Sequence, residues 1–430
     1  MIGLWLIAGA AFAATVERMP SCAKVSRVAF DGETAVAVAQ DGTCRFALDG
    51  SRHAVFDTAD LPIPAPAELA GCSYQPGEAG LLRRCPRLAD EVLPAGGFPV
   101  TSAAAYGGML YAGTYGGGLR RMPSGERVPG TPDGVTALAA SEQGLLVGTE
   151  RGVYLFKEGK VRSLGPMGPA DGHVVKLLRA DGALWVGHFD RGLSRLKDGV
   201  WRSWTMAEGL PSEWLDDLAW DGVRLWGATE KGVFWIVDAQ VVRPTDARLR
   251  AATSAMFASS GTVYLAQAGR ILTWKDGVVT ALDSPEQHPQ RILVQNEGIW
   301  LAGLDGLWRF SDGKTERYGV IDGRLPGDWV TALAEGPQGL LIGTYDAGLA
   351  LLGSTTSLKS DAWVNLGALA RDGERLAVGE TAAGLSLWNG SAWSKLTVTD
   401  GLPGEDVSAV LFDGPDLWVG TRTGLARVRY

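Results

Sequence analysis

The stretch Leu184-Trp185-Val186-Gly187-His188-Phe189-Asp190-Arg191-Gly192-Leu193 decides the fold. It starts on large apolar residues, narrows to a small one, crosses a polar turn and ends on Gly-Leu. The same pattern runs through the chain. It reads LYAGTYGGGL from Leu110, LVGTERGV from Leu146, LWGATEKGV from Leu225, VYLAQAGRI from Val263 and IWLAGLDGL from Ile299. It continues as LLIGTYDAGL from Leu340, LAVGETAAGL from Leu376 and LWVGTRTGL from Leu417. The small residue falls at Gly113, Gly148, Gly187, Ala228, Ala266, Ala302, Gly343, Gly379 and Gly420, at intervals of 35, 39, 41, 38, 36, 41, 36 and 41. Periods of this size belong to solenoids, propellers and arrays.

Each unit reads as four short strands separated by Gly, Asp and Asn turns, the signature of antiparallel hairpins. One unit is assigned as Val330 to Ala334, Leu340 to Thr344, Leu349 to Leu352 and Trp363 to Leu366. No segment sustains an apolar period of 3.6, so helices should be nearly absent. Four strands in about 40 residues is one blade of a β-propeller. Both faces of a blade must be covered by its neighbours. Trp185, Trp226, Trp300 and Trp418, recurring in the second strand, therefore read as packing between blades.

The repeat extends toward the N-terminus. Val25 to Gly32 (VSRVAFDG) matches Val407 to Gly414 (VSAVLFDG), which puts Val38 in the place of Gly420. From Val38 to Gly113 is 75 residues, or two periods, so one degenerate unit lies between them, around Cys72 and Cys85. The last unit lacks a fourth strand, and Thr15 to Met19 resembles the missing piece. The reading is an all-β propeller of ten or eleven units closed by its N-terminal strand, as one wide ring or two smaller ones. Residues 14–98 form the divergent, cysteine-containing part and residues 99–430 the regular repeats.

The 430 residues carry a net charge of −8 and no basic run, which speaks against nucleic acid as a partner. Leu4 to Ala11 is a short apolar run, and Ala11-Phe12-Ala13 suits a signal-peptide cleavage site. Residues 1–13 are therefore read as a signal peptide, though without basic residues before the apolar run. The mature chain would be periplasmic or secreted, with no transmembrane segment. Four cysteines, Cys22, Cys44, Cys72 and Cys85, fit disulfides in an exported protein. Three pairings are possible, with Cys72–Cys85 favoured as the short local loop. No CxxC or HExxH spacing points to a metal, and no cofactor fingerprint is present.

Asp400-Gly401-Leu402-Pro403-Gly404, followed by Leu417-Trp418-Val419-Gly420-Thr421 and Gly424-Leu425, resembles the two-component regulator propeller repeat. Glu208-Gly209-Leu210-Pro211 matches its Gly-Leu-Pro turn again, and Arg324-Leu325-Pro326 departs by one residue. The resemblance covers most of the chain from about Val100. It implies a periplasmic sensor propeller of the kind found in hybrid histidine kinases, often answering to carbohydrate fragments. The kinase, the membrane helix and the following β-sandwich of that family have no counterpart in this sequence.

In a four-stranded meander, the loop entering strand one and the turn between strands two and three share one face. That face, carrying the Leu-Pro loops, is the candidate ligand site. Its turns contribute Tyr115, Arg151, His188, Asp190, Arg191, Lys231, Tyr345, Asp346 and Arg422; its entering loops contribute Trp214 and Trp329. Aromatics beside charges suit a glycan or peptide. The function read from the sequence is ligand binding or sensing, with a protein-interaction scaffold as the second reading. A propeller lyase or hydrolase is the third, and would need His188 clustered with Asp190, Arg191 and a facing acid.

Overall fold

The computed structural model describes residues 14–429 except 20, 33, 41, 49–60, 62–64, 165–167, 296–297, 337–338 and 355–356. The proposed signal peptide lies outside the described residues. The described residues form eleven antiparallel sheets in sequence order, ten of four strands and one of three. We number them blades 1 to 11, starting at residues 27, 67, 100, 135, 174, 215, 255, 291, 330, 364 and 407. Among the described residues the only helical segments are three short 3-10 turns, such as Met206–Glu208 before blade 6. None is long and apolar enough to cross a membrane.

The repeat register is the one the sequence implies. In blade 11 Ala409 faces Gly420, and in blade 1 Arg27 faces Val38, so the small-residue position is shared by both. The degenerate unit is blade 2, with strands Ala67–Leu69, Cys72–Gly77, Gly80–Arg84 and Glu91–Leu93. Its cohesion includes the Cys72–Cys85 disulfide, while Cys22–Cys44 ties the segment entering blade 1 to that blade's third strand. Trp185, Trp226, Trp300 and Trp418 are all buried. Trp185 shares a core with Leu215 and Leu218 of blade 6, and Trp226 with Met256 and Leu265 of blade 7. Burying such side chains contributes about 1.5–3 kcal/mol each, which makes the blade junction the main site of cohesion.

The assignment of Trp363 to Leu366 as a fourth strand is corrected. The fourth strand of blade 9 is Ser357–Lys359, and Val364 opens the long first strand of blade 10, Val364–Asp372. A register shift between Val364 and Leu369 accommodates extra residues there, so Trp363 belongs to an entering loop.

Two compact units emerge. The smaller comprises the described residues of Pro20–Gly172 and Ser194–Ser203, and holds blades 1 to 4. A cavity of about 280 Å³ is lined by blades 2, 3 and 4 together with Ser26, which precedes blade 1. The larger comprises the described residues of Met1–Met19, His173–Leu193 and Trp204–Tyr430. Its innermost strands adjoin in cyclic order from blade 5 to blade 11 and back to blade 5, a closed ring of seven.

That ring is completed by the N-terminal strand. Thr15–Met19 pairs antiparallel with Leu425–Arg429, from Thr15 opposite Arg429 to Met19 opposite Leu425. Arg18 adds hydrogen bonds from Nε to the Gly401 carbonyl (2.8 Å) and from Nη2 to the Leu402 carbonyl (2.9 Å). Without this strand, blade 11 would expose an unpaired edge. Deletion of residues 14–19 should lower the melting temperature by about 5 °C or more, measured by calorimetry. An unchanged melting temperature would show that this pairing does not hold the ring.

Candidate functional site

The entering loops and the turns between strands two and three are laced together by backbone hydrogen bonds. Phe189 N–H donates to the His173 carbonyl (3.0 Å) in blade 5, and Tyr345 N–H to Trp329 (2.9 Å) in blade 9. Thr381 N–H donates to Trp363 (2.9 Å) in blade 10, and Arg422 N–H to Asp406 (3.1 Å) in blade 11. This lacing gathers both kinds of loop on one face of these blades, as the meander requires.

On the larger unit it produces two equivalent aromatic columns. In the first, Phe189 stacks on His173 of its own entering loop, with centroids 4.7 Å apart, and on Trp214 of the next blade at 5.4 Å. In the second, Tyr345 stacks on Trp329 of its own entering loop at 4.1 Å and tilts against Trp363 of the next blade at 5.8 Å. Each column is thus an entering-loop ring, a turn ring and the following entering-loop ring. Trp214 is 53% exposed, Trp363 55% and Phe189 43%. Stacking holds the rings in place while leaving their surface wet.

The sequence-selected residues distribute as follows. Tyr115 and Arg151 are exposed on the smaller unit, and the other nine belong to the larger. Trp214, Lys231, Asp346 and Arg422 are exposed; Asp190, Arg191 and Tyr345 are half-buried. Arg422 pairs with Asp406 (2.9 Å), whose other oxygen accepts from Asn365 beside Trp363 (2.6 Å). Trp329 donates from its indole nitrogen to Gln290 (3.1 Å).

His188 is fully buried. It ends a second strand at the position held elsewhere by Thr149, Thr229, Thr344 and Thr421. Those hydroxyls donate to a glycine carbonyl across the turn, as from Thr344 to Gly348 (2.8 Å). At His188 the backbone N–H spans the same turn to Gly192 (2.9 Å). Among the described residues, no three His, Cys, Asp or Glu side chains gather to hold a metal ion.

Sequence reading passed over Trp363 and a set of charges inside the ring. One residue on each first strand faces the small residue of the second, eleven positions earlier in the chain. Five blades place alanine there: Ala137, Ala255, Ala332, Ala368 and Ala409. Blades 5, 6 and 8 place Lys176, Asp217 and Arg291. Counting back eleven from each small residue would have exposed these exceptions. Lys176 pairs with the buried Asp217 (2.7 Å), which also accepts from Met256 N–H (2.9 Å).

Beside them, Asp216 occupies the bulge at the start of blade 6. Desolvation by the surrounding protein, then repulsion from Glu230 and Asp217, pushes its carboxyl up to about 7, against a weaker opposing pull from Arg291. Its side chain nevertheless keeps contact with solvent.

Comparison with known proteins shows the fold. No family model and no curated protein matches the sequence. Among solved structures, PorZ, a surface component of the type-IX secretion system of Porphyromonas gingivalis, matches with 14% identity and a TM-score of 0.55, over 94% of this chain and 74% of that one. Virginiamycin B lyase from Staphylococcus aureus matches with 13% identity and a TM-score of 0.50, over 60% of this chain and 96% of the lyase. The extracellular domain of the hybrid two-component system BT4673 from B. thetaiotaomicron matches with 15% identity and a TM-score of 0.49, over 94% of this chain and 64% of that domain.

The raised carboxyl of Asp216 has a sign that can be checked. Between the ordinary carboxylate value of 3.8 and about 7, the folded chain holds a proton that the unfolded chain has released. Stability from this group therefore falls as pH rises through that window and levels off above it. Asp216→Asn should raise the melting temperature over wild type at pH 7.5 by clearly more than at pH 4. A gain independent of pH would show that Asp216 is ionised throughout.

Proposed function

We propose that the chain is an exported, non-enzymatic propeller that binds an extracytoplasmic glycan on the Leu-Pro loop face of its larger unit. The observation that carries this reading is the pair of equivalent aromatic columns, His173–Phe189–Trp214 and Trp329–Tyr345–Trp363. Rigid, solvent-facing rings offer flat apolar area to the C–H faces of sugars, and Asp346 and Arg422 stand nearby to meet hydroxyls. A hydrophobic core would have hidden these rings; here four of the six are plainly exposed.

Two disulfides support the exported location, since such bonds persist in oxidising compartments. The burial of His188 supports a binding role over a lyase, because a general acid or base must reach its substrate. The similarity to PorZ and to a lyase fits either role, since one fold hosts many functions.

Screening the purified chain on soluble polysaccharide fragments should yield a binder. Trp214→Ala/Trp329→Ala should then weaken it by roughly 2 kcal/mol, about thirtyfold in Kd by calorimetry, with the fold intact. Asp181→Asn/Asp276→Asn, in hairpin turns of the opposite face, should leave binding unchanged. A binder that tolerates the tryptophan changes and is lost with the aspartate changes would place recognition on the other face. A screen in which only peptides bind would replace the glycan with a peptide.

A further inference from the structure

The seven first strands of the larger unit enclose an axial cavity of about 440 Å³. Alanine stands at four of the seven facing positions, and the three exceptions put charge into the cavity. Arg291 is the outstanding one. Its side chain is 8% exposed and lines the cavity. Among the described residues its one hydrogen bond runs from Nη1 to the neighbouring Gln290 carbonyl (2.6 Å), and Nε has no partner. A guanidinium has five N–H donors, and burial of a charge with so few acceptors is costly unless something else supplies them. Asp216 and Asp217 act on it through space without a direct ion pair. Asp217 is already committed to Lys176 and to Met256 N–H.

The space around this group is built. Gly367 of blade 10 lies against the guanidinium, and a Cβ there would sit 2.5 Å from Nε and nearer still to Nη2. Its backbone, at φ +71°, is one that residues with side chains rarely adopt. The insertion that shifts the register of blade 10 at Val364/Leu369 is what carries Gly367 to this place.

The charge balance indicates what fits. Lys176, Arg291 and Arg371 line the cavity against Asp217 and Glu335, an excess of one cation. A single negative charge with planar acceptors complements it; arginine pairs with such groups in two-pronged fashion. We infer that the axial cavity is a binding site for one carboxylate, of the kind a uronic acid sugar presents, held by Arg291. The site does not depend on the aromatic columns, although Gln290, whose carbonyl holds Arg291, also holds the Trp329 indole.

The test is calorimetric titration at pH 6 with D-glucuronate, acetate, sulfate and D-glucose at fixed ionic strength. Glucuronate should saturate with Kd below about 1 mM, and acetate more weakly; glucose should give no heat. Sulfate binding more tightly than either carboxylate would overturn the assignment to a carboxylate. Arg291→Gln should weaken glucuronate at least tenfold. Arg291→Lys keeps the charge and the fold but loses the planar fork, and should weaken it severalfold. Absence of saturation in the wild-type chain would overturn the proposal without any variant. So would binding retained in Arg291→Gln but lost in Trp214→Ala/Trp329→Ala, which would place the sugar on the aromatic face and leave that reading standing.

Discussion

The structure depends on the close approach of one blade to the next at the small residue of the second strand. A Cβ added to Gly343 would lie 2.6 Å from Val364 Cγ1 of the following blade, and one on Gly379 2.7 Å from Val407 Cγ1. On Gly113 it would lie 2.5 Å from Val135 Cγ1. Protein interiors are packed too densely to absorb such overlaps, so the position stays small and the repeat stays legible. A hydroxyl on the adjacent first strand reinforces the junction: Thr331 donates to the Val364 carbonyl (2.7 Å), and Thr101 to Val135 (2.6 Å). Sheet, blade spacing and sequence period all follow from this one contact.

The same contact explains what the sequence could not tell. Its local half is written in each repeat, which is why the register of Val25 to Gly32, the degenerate unit and the closing strand could all be read. Its other half is the identity of the neighbour. Gly148 packs on Val25, whereas Gly420 packs on Val174, with 2.7 Å from its hypothetical Cβ to Val174 Cβ. Val25 and Val174 stand in equivalent, equally apolar positions, and nothing in their surroundings says which glycine each will meet. Ring size is thus a choice among near-identical junctions. The misplaced fourth strand has a different origin. Trp363 and Val364 are as strand-prone as any in the chain, and only the shift in blade 10 turns them into a loop and a new first strand.

Function, on this scaffold, is carried by departures from the consensus. Threonine recurs at the turn after the second strand, where His188 and Glu380 depart from it; alanine recurs opposite the small residue, where Lys176, Asp217 and Arg291 depart from it. Glu380, buried, is held by Lys395 (3.0 Å) and Ser386. These substitutions cost the local junction something and persist because neighbours compensate. The aromatic columns follow the same logic on the surface. The lacing between loops recurs in blades 3, 4, 5, 9, 10 and 11, and only where successive blades both supply rings does a column form. Trp214 and Trp329 were visible in the sequence as tryptophans in loops, but their partners across the blade boundary were not.

The path of the chain has a consequence for how the molecule is made. The strand Thr15–Met19 belongs to the larger ring, yet the smaller unit follows it immediately, and its partner strand lies at the far end, Glu17 meeting Arg427 across 410 residues. Ribosomes deliver these segments in the wrong order for use: Thr15–Met19 is made before any blade of the ring that it closes. During synthesis the smaller unit has all its blades long before the larger has more than one. The entropy of joining such distant ends is met only once blades 5 to 11 have assembled and brought them near. Until then the strand waits unpaired while an open sheet edge grows, so the ring doubles as a check on assembly, sealing only once blades 5 to 11 have all been made.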